Sequence, residues 1–158
     1  MTSTLPSGIY IANADEIDAI VEIERKCFPI KVAYSKRQLE QLILNAGSDC
    51  LVEKKDGSIR AFLIVTYRPR SLTCSIETID VDPAFKNMGI GLKLLKAAEI
   101  EMKRRGMRWS QLEVSEGNEA ALNVYQKAGY TFKERLVGYY KFEHNGTCLL
   151  YTSPSPRD

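Results

Sequence analysis

The residues best suited to chemistry are two glycines that open a long helical pattern. Gly89 and Gly91 stand in residues 86–92, which read KNMGIGL. The first turn of a helix leaves main-chain N–H groups without partners, and its dipole favours an anion. Glycine removes the side chains that would keep a phosphate from those donors, and Lys86 adds a positive charge. The spacing fits neither a Walker loop nor GxGxxG. It predicts a phosphate site of another kind, although two glycines are equally typical of an ordinary turn.

A strand and a helix must position this loop. The β-branched run at residues 76–81 predicts a strand, which Asp82-Pro83 ends. Beyond the glycines, apolar residues recur near helical spacing up to Gly106, which is expected to cap the helix C-terminus. Two earlier helices are predicted on either side of residues 28–34, with Asp15 and Ser35 as their N-caps.

This strand–loop–helix segment resembles the acetyl-CoA loop of the GNAT N-acetyltransferases, whose pattern is Arg/Gln-x-x-Gly-x-Gly/Ala. Lys86 departs from the first position: it keeps the charge but lacks the planar fork of arginine. A second block, residues 112–130, reads LEVSEGNEAALNVYQKAGY. It is similar to the LEV…Asn-x-x-Ala…Tyr-x-x-x-Gly-Phe/Tyr segment of RimI-type enzymes, which acetylate protein N-termini. The resemblance covers residues 9–142.

The resemblance implies an α/β (α+β) fold with a mixed, mostly antiparallel sheet and helices on both faces. Its two central strands, residues 76–81 and 109–114, are expected to splay apart. We expect one acetyltransferase domain over residues 1–150. Residues 151–158, YTSPSPRD, are polar and carry two prolines. We interpret them as a disordered tail that lies outside the sheet and is not native to the domain.

The resemblance also implies acetyl-CoA as co-substrate, held largely by main-chain amides, and no metal. The residues expected to bind it are Ile79, Asp80 and Val81 on the splayed strand, Lys86, Asn87, Met88, Gly89, Ile90, Gly91 and Leu92 in the loop, and Asn118 and Tyr125 beyond it. Asn118 is in addition a good N-cap for the helix that follows.

Acetyl transfer to an amine needs a base for the amine and a proton for the leaving thiolate. Tyr125 lies two helical turns after Asn118, on the same helix face, and the resemblance assigns it as the acid. Glu113 is the first candidate for the base. Glu77 is the second, and simple strand alternation predicts that it shares a face with Ile79.

Two aromatic segments are candidates for the acceptor side. Phe28 and Pro29 begin the loop at residues 28–34, and the pair Tyr139 and Tyr140 lies near the end of the domain. Both segments resemble acceptor-side residues of RimI-type enzymes, and both are equally typical of core packing. The resemblance implies that the acceptor is the N-terminal α-amine of a protein or peptide, such as a ribosomal protein. A small-molecule amine is the alternative acceptor, and a non-catalytic acyl-CoA sensor is the alternative function.

Composition excludes several other classes. The chain has 158 residues, 44% hydrophobic and 27% charged, which is ordinary for a soluble domain. A net charge of +2 gives no argument for a direct nucleic-acid partner, and no apolar run reaches membrane-span length. The four cysteines are scattered, and the single His144 lies in a turn signature, so a catalytic cysteine is not predicted. We expect reduced thiols in a cytoplasmic protein that is a monomer or weak dimer.

Overall fold

The computed structural model describes residues 5–115, 118–136 and 148–154. The strands in these ranges are β1 Ile9–Ile11, β2 Ser48–Lys55, β3 Ser58–Arg68, β4 Thr73–Val81, β5 Trp109–Ser115, β6 Thr131–Leu136 and β7 Cys148–Pro154. The α-helices are α1 Ile17–Cys27, α2 Lys36–Leu44, α3 Ile90–Arg104 and α4 Glu119–Lys127. Short 3-10 turns at Ala14–Glu16 and Pro83–Phe85 precede α1 and the glycine loop.

One sheet joins all the described strands in the order β1-β2-β3-β4-β5-β7-β6. Every neighbouring pair is antiparallel except β4 and β5, which are parallel. The β4–β5 pairing starts at Thr73 with Trp109 and stops at Ile76 with Leu112, although both strands continue. The predicted mixed sheet with splayed central strands is therefore confirmed.

Helices cover both faces of this sheet. On the face that we call the α1 face, Phe62 and Ile64 pack against α1 and α2. On the opposite face, called the α3 face here, Leu63 and Val65 pack against α3 and α4. Alternate residues of β3 thus pack into two separate cores, as expected for a strand that is buried on both sides. The apolar run at residues 61–65 is its sequence signature.

Helix ends follow local sequence with one exception. Ser35 caps α2 through a capping box with Gln38, and Gly106, at φ 76°, follows the end of α3. The first cap is Asn13 rather than Asp15. The Asn13 side chain accepts from the main-chain amide of Asp15, and the main-chain amide of Asn13 donates to the Glu16 carboxylate. The predicted cap was two residues too late because Asp15 already lies inside the 3-10 turn.

The tail prediction is wrong for its first half. Tyr151 pairs with Leu112 of β5 inside strand β7, so residues 151–154 belong to the sheet. Pro154 is the last residue of that strand, a place where a missing N–H is tolerated. Residues 155–158 lie outside the described residues.

Candidate active site

The opening between β4 and β5 leaves one edge of β4 without a neighbouring strand. Asp82 donates its amide to the Arg60 carbonyl of β3, which makes those two residues a hydrogen-bonded pair. Hydrogen-bonded and non-bonded pairs alternate along an antiparallel ladder. The main-chain groups of Ile79 and Val81 therefore point away from β3, into the opening, whereas the Asp80 amide points to β3. Of the three predicted donors, only Ile79 and Val81 present N–H groups to this edge.

Two carboxyl groups flank the point where the strands part. Glu77 and Glu113 each follow the last paired residue of their strand. Just before that point, the Gln111 amide donates to the Ser75 hydroxyl at 3.2 Å across the two strands. Glu113 alternates with the buried Leu112, which belongs to the α3-face core, so Glu113 lies on the α1 face. Both candidate bases thus stand at the opening.

Glu77 does not share a face with Ile79, so that prediction is wrong. Glu77 is the extra residue of a β-bulge, because Val65 pairs with Ile76 and Ile64 with Thr78. Ile79 packs in the α3-face core. The Glu77 carboxylate instead accepts the Thr66 hydroxyl at 2.7 Å, on the α1 face. The bulge turns Glu77 to the same face of the sheet as Glu113.

The glycine loop ends at a helix start with no side-chain cap. Gly89 holds the N-cap position in the left-handed region at φ 76°, and Asn87 has φ 62°. Gly91 has no such requirement: a Cβ built there would lie 3.8 Å from methyl groups of Val81 and Val124, an ordinary contact. The backbone does not need glycine at this position, whereas a close-lying phosphate would. The Lys86, Asn87 and Met88 side chains are exposed beside these amides.

Asn118 and Tyr125 lie at the two ends of α4. Asn118 caps the helix, accepting from the Ala121 amide at 3.3 Å, so the N-cap prediction is confirmed. Tyr125 is 7% exposed and packs in the α3-face core, 6.1 Å from Tyr130 between ring centroids. Burial, and next the charge of Asp80, raise the pKa of the Tyr125 phenol. This phenol keeps its proton at neutral pH, as an acid must.

The loop after α1 lies on the α1 face. The Phe28 amide donates to the Glu24 carbonyl at 3.0 Å and ends the helix. Phe28 is half-buried, Pro29 is exposed, and Ile30 is 88% exposed. Tyr139 and Tyr140, the other predicted acceptor residues, lie outside the described residues.

The described thiols are not nucleophiles. Cys27, Cys50 and Cys74 are free. Burial above all raises the pKa of Cys27 to about 12 and that of Cys74 to about 11, so both stay protonated at neutral pH.

Within residues 5–115, 118–136 and 148–154, no group of three His, Cys, Asp or Glu side chains could hold a metal ion. In the same ranges, no helix has the length and apolar content to cross a membrane.

Sequence reasoning missed one pair of side chains behind the opening. Glu24 on α1 and Asp80 on β4 are 2% and 0% exposed, and both lie on the α1 face. Asp80 was predicted to contribute only its main chain. An acidic residue between Ile79 and Val81, inside a β-branched strand, was the available signal, because such a residue is buried only with a partner. Its partner lies 56 positions away in sequence, beyond the reach of local patterns.

Two known acetyltransferases share sequence with part of this chain. The chain is 30% identical over 86 residues to the [Ribosomal protein bS18]-alanine N-acetyltransferase of Escherichia coli, covering 54% of this chain and 57% of that protein. It is 32% identical over 77 residues to the streptothricin acetyltransferase of Streptomyces lavendulae, covering 49% and 41%. The chain therefore matches about half the length of these relatives.

Solved structures share the fold. The crystal structure of the ribosomal-protein-S18-alanine N-acetyltransferase from Escherichia coli superposes with a TM-score of 0.84 at 20% identity, covering 95% of this chain and 94% of that one. PaiA N-acetyltransferase from Thermoplasma acidophilum, in complex with coenzyme A, gives 0.77 at 18% identity, covering 92% and 98%. Residues 17–130 match the Acetyltransferase (GNAT) family. With the open β4 edge and the glycine loop in place, the chain belongs to the GNAT acetyltransferase family.

Proposed function

We propose that this protein transfers an acetyl group from acetyl-CoA to a primary amine, and that the amine is the N-terminal α-amine of a protein or peptide. The observation that carries this proposal is the unpaired edge of β4 at Ile79 and Val81, which opens beside the uncapped start of α3. A sheet edge with free amides accepts an extended, amide-rich molecule as an added strand. The pantetheine arm of coenzyme A is such a molecule.

The cofactor's diphosphate fits the start of α3. Four features favour an anion there: free first-turn amides, the helix dipole, a glycine at position 91 and the exposed Lys86. The absence of a side chain at Gly91, where a Cβ would itself be tolerated, is the detail that points to a ligand. The family relationship and the coenzyme A bound in the Thermoplasma acidophilum structure support the same ligand.

The thioester supplies an activated acyl carbon, and the residues of this chain supply the rest of the chemistry. An N–H of Ile79 or Val81 would donate to the carbonyl oxygen as the amine adds to that carbon. Glu113, first, or Glu77, second, would take the proton that the amine loses. The carbon–sulfur bond then breaks, and Tyr125 would give its proton to the departing sulfur. Asn118, at the other end of α4, would contact the pantetheine arm.

The acceptor would arrive on the α1 face. Glu77 and Glu113 stand there at the opening, and an ammonium group is attracted to such carboxylates before it is deprotonated. The exposed loop at residues 28–34 lies on the same face. The Escherichia coli relative, named for the alanine of a ribosomal protein, favours a protein N-terminus. The free thiols of the described residues support a reducing compartment such as the cytoplasm.

A small amine is the second candidate acceptor. The specific observation in its favour is the 32% identity over 77 residues to an enzyme named for streptothricin rather than for a protein. The two candidates differ in the size of the acceptor and not in the chemistry, so the site described above serves both.

A thiol-release assay tests the proposal. Purified protein is given acetyl-CoA and a panel of short peptides with free N-termini, with N-terminally blocked copies and small amines as controls. Release of coenzyme A that depends on a free peptide N-terminus supports the proposal, and mass spectrometry must locate the acetyl group there. Release only with small amines selects the second candidate. Tight binding of acetyl-CoA with no release on any amine would leave only the sensor function.

A further inference from the structure

Glu24 and Asp80 form a buried carboxyl pair that the proposed chemistry does not use. Both side chains are almost completely removed from solvent. Burying one carboxylate without a partner costs several kcal/mol, and burying two together costs more. The nearby described ion pairs go elsewhere: Lys26 binds Asp82 at 3.2 Å and Glu22 at 3.7 Å. The pair therefore needs another means of limiting its charge.

The hydrogen bonds of the pair show where a proton belongs. One oxygen of Glu24 accepts the Tyr34 amide at 2.9 Å, and one oxygen of Asp80 accepts the Thr78 hydroxyl. The other oxygens, Glu24 Oε1 and Asp80 Oδ2, are buried and have no donor partner in the described part of the chain. Burial, and next a hydrogen bond with Glu24, raise the pKa of Asp80, and two carboxyl oxygens bond only with a proton between them.

The titratable groups around the pair do not offset its negative charge. Cys27 on α1, Cys50 on β2 and Tyr125 on α4 each sense the charge of Asp80, but burial is the larger cause of their raised pKa values. All three are neutral at physiological pH. Lys86 and Asp82 act on the nearby Cys27 with opposite signs. The local charge is thus set mainly by the carboxyl pair itself.

Glu24 also holds both ends of the loop at residues 28–34. Its main-chain carbonyl accepts the amide of Phe28, where the loop begins, and its side chain accepts the amide of Tyr34, where the loop ends. Asp80, the other member of the buried carboxyl pair, lies on β4 between Ile79 and Val81. One residue thus connects the loop to the strand whose open edge would hold the thioester.

We propose that Glu24 and Asp80 share a single proton and that this pair positions the loop at residues 28–34 against β4, which sets the affinity for the acceptor amine. The positioning role rests on the proposed acetyltransferase function, while the shared proton does not. Glu24 and Asp80 are positioning residues, because both are buried away from the opening. Loss of the proton as pH rises puts two charges side by side and releases the loop.

Three variants separate these roles. Glu24→Gln keeps an oxygen for the Tyr34 amide and gains an N–H for Asp80, so it joins the two elements without a proton. Glu24→Leu keeps the bulk and removes both bonds. Glu22→Gln is the matched control, because Glu22 lies two residues before Glu24 on the exposed side of α1. We expect Glu24→Leu to raise KM for the acceptor about tenfold to a hundredfold, the effect of losing a buried hydrogen bond to a charged group. The affinity for acetyl-CoA should change less than about twofold, and kcat should change much less than KM for the acceptor.

The pH profile supplies a readout that a merely structural role would not move. In the wild-type protein and in Glu22→Gln, KM for the acceptor should rise in a step as pH increases and the pair loses its proton. In Glu24→Gln that step should disappear while KM at neutral pH stays near wild type. An unchanged step in Glu24→Gln, or an equal effect of Glu24→Leu on both substrates, would overturn the positioning role.

Carbon-13 NMR of labelled aspartate and glutamate carboxyls tests the shared proton without any assay of activity. Burial, and next the bond to Glu24, hold the pKa of Asp80 well above its ordinary value. We expect one Asp resonance to titrate far above the others in the wild-type protein and to fall back in Glu24→Gln, where the partner carries its own N–H. Two ordinary titrations in the wild type would overturn the shared proton. If no amine is ever acetylated but the shifted resonance is present, the proposed function has failed and the shared proton stands.

Discussion

The two faces of the sheet differ sharply in charge where β4 and β5 part. The α3 face presents the apolar side chains of Ile79 and Val81 and the buried phenol of Tyr125. The α1 face carries the carboxyl groups of Glu24, Asp80, Glu77 and Glu113, the first two buried and the other two partly exposed. A single strand separates a nearly uncharged environment from an acidic one.

This difference matches the needs of two unlike substrates. A thioester arm is neutral, and a leaving thiolate is best protonated by a phenol that has kept its proton in an apolar setting. An amine reaches the site as a cation and must lose a proton, so it favours a face with carboxylates. In the proposed reaction, β4 would separate the half that holds the thioester from the half that receives the amine, and variants on each face can test this separation.

The largest effect is expected at the start of α3. Gly91→Glu places bulk and negative charge where the diphosphate would bind, so acetyl-CoA binding should be lost in calorimetry while the protein stays folded. Gly91→Ala is the control for folding: its Cβ fits the protein, and removing a helical glycine should raise the free energy of unfolding by about 0.5–1 kcal/mol, whereas its small side chain should weaken acetyl-CoA binding less than glutamate does. Wild-type affinity in Gly91→Glu would show that the loop is misassigned.

A smaller effect is expected for the phenol on the α3 face. Tyr125→Phe keeps the packing and removes the proton, so kcat should fall roughly 10²–10⁴-fold with acetyl-CoA affinity kept. Tyr130→Phe is the matched control, since Tyr130 is equally buried and its hydroxyl contacts Ser110 instead. Steady-state kinetics on both variants decides the matter. Equal rates in Tyr125→Phe and Tyr130→Phe would remove Tyr125 as the acid.

The two carboxylates on the α1 face should separate in a paired experiment. Of Glu113→Gln and Glu77→Gln, only the variant of the true base should lose about 10²-fold in kcat/KM at neutral pH and recover rate as pH rises, because the amine then deprotonates in solution. The other should lose much less. Glu77 already accepts the Thr66 hydroxyl, so Thr66→Val tests whether that bond orients it. Equal losses without recovery would indicate that neither carboxylate is the base.

The features that could be predicted from sequence are those that depend on neighbouring residues along the chain. The glycine loop, the helix after it and the Ser35 and Asn118 caps each occupy a few consecutive residues, so their patterns are readable. The opening between β4 and β5 came from the family resemblance and is confirmed by the register. The roles of Glu113, Tyr125 and the acceptor residues stay predictions.

What could not be predicted depends on contacts between distant segments. The bulge that turns Glu77 is visible only in the pairing of β4 with β3, since periodicity alone assumes unbroken alternation. The proposed pairing of Glu24 with Asp80 joins a helix to a strand, whose residues lie 56 positions apart in sequence. The inclusion of Tyr151 in strand β7 likewise depends on its pairing with β5, because a short polar segment has no strand pattern of its own.

The smallest effect on the reaction is expected at the far end of α3, where stability alone should change. Arg105 donates to Asp49 at 3.3 Å and to the Ala46 carbonyl at 3.4 Å, and its guanidinium lies 4.2 Å from the Tyr67 ring centre. Arg105→Ala should lower the free energy of unfolding by about 1–2 kcal/mol, because Asp49 loses its ion pair and the ring loses its cation. Urea denaturation measures this loss, with the exposed Lys96→Ala as control. Acetyl-CoA affinity should stay unchanged, since this end of α3 carries no part of the site; a weaker affinity in Arg105→Ala alone would mean that the two ends of the helix are coupled.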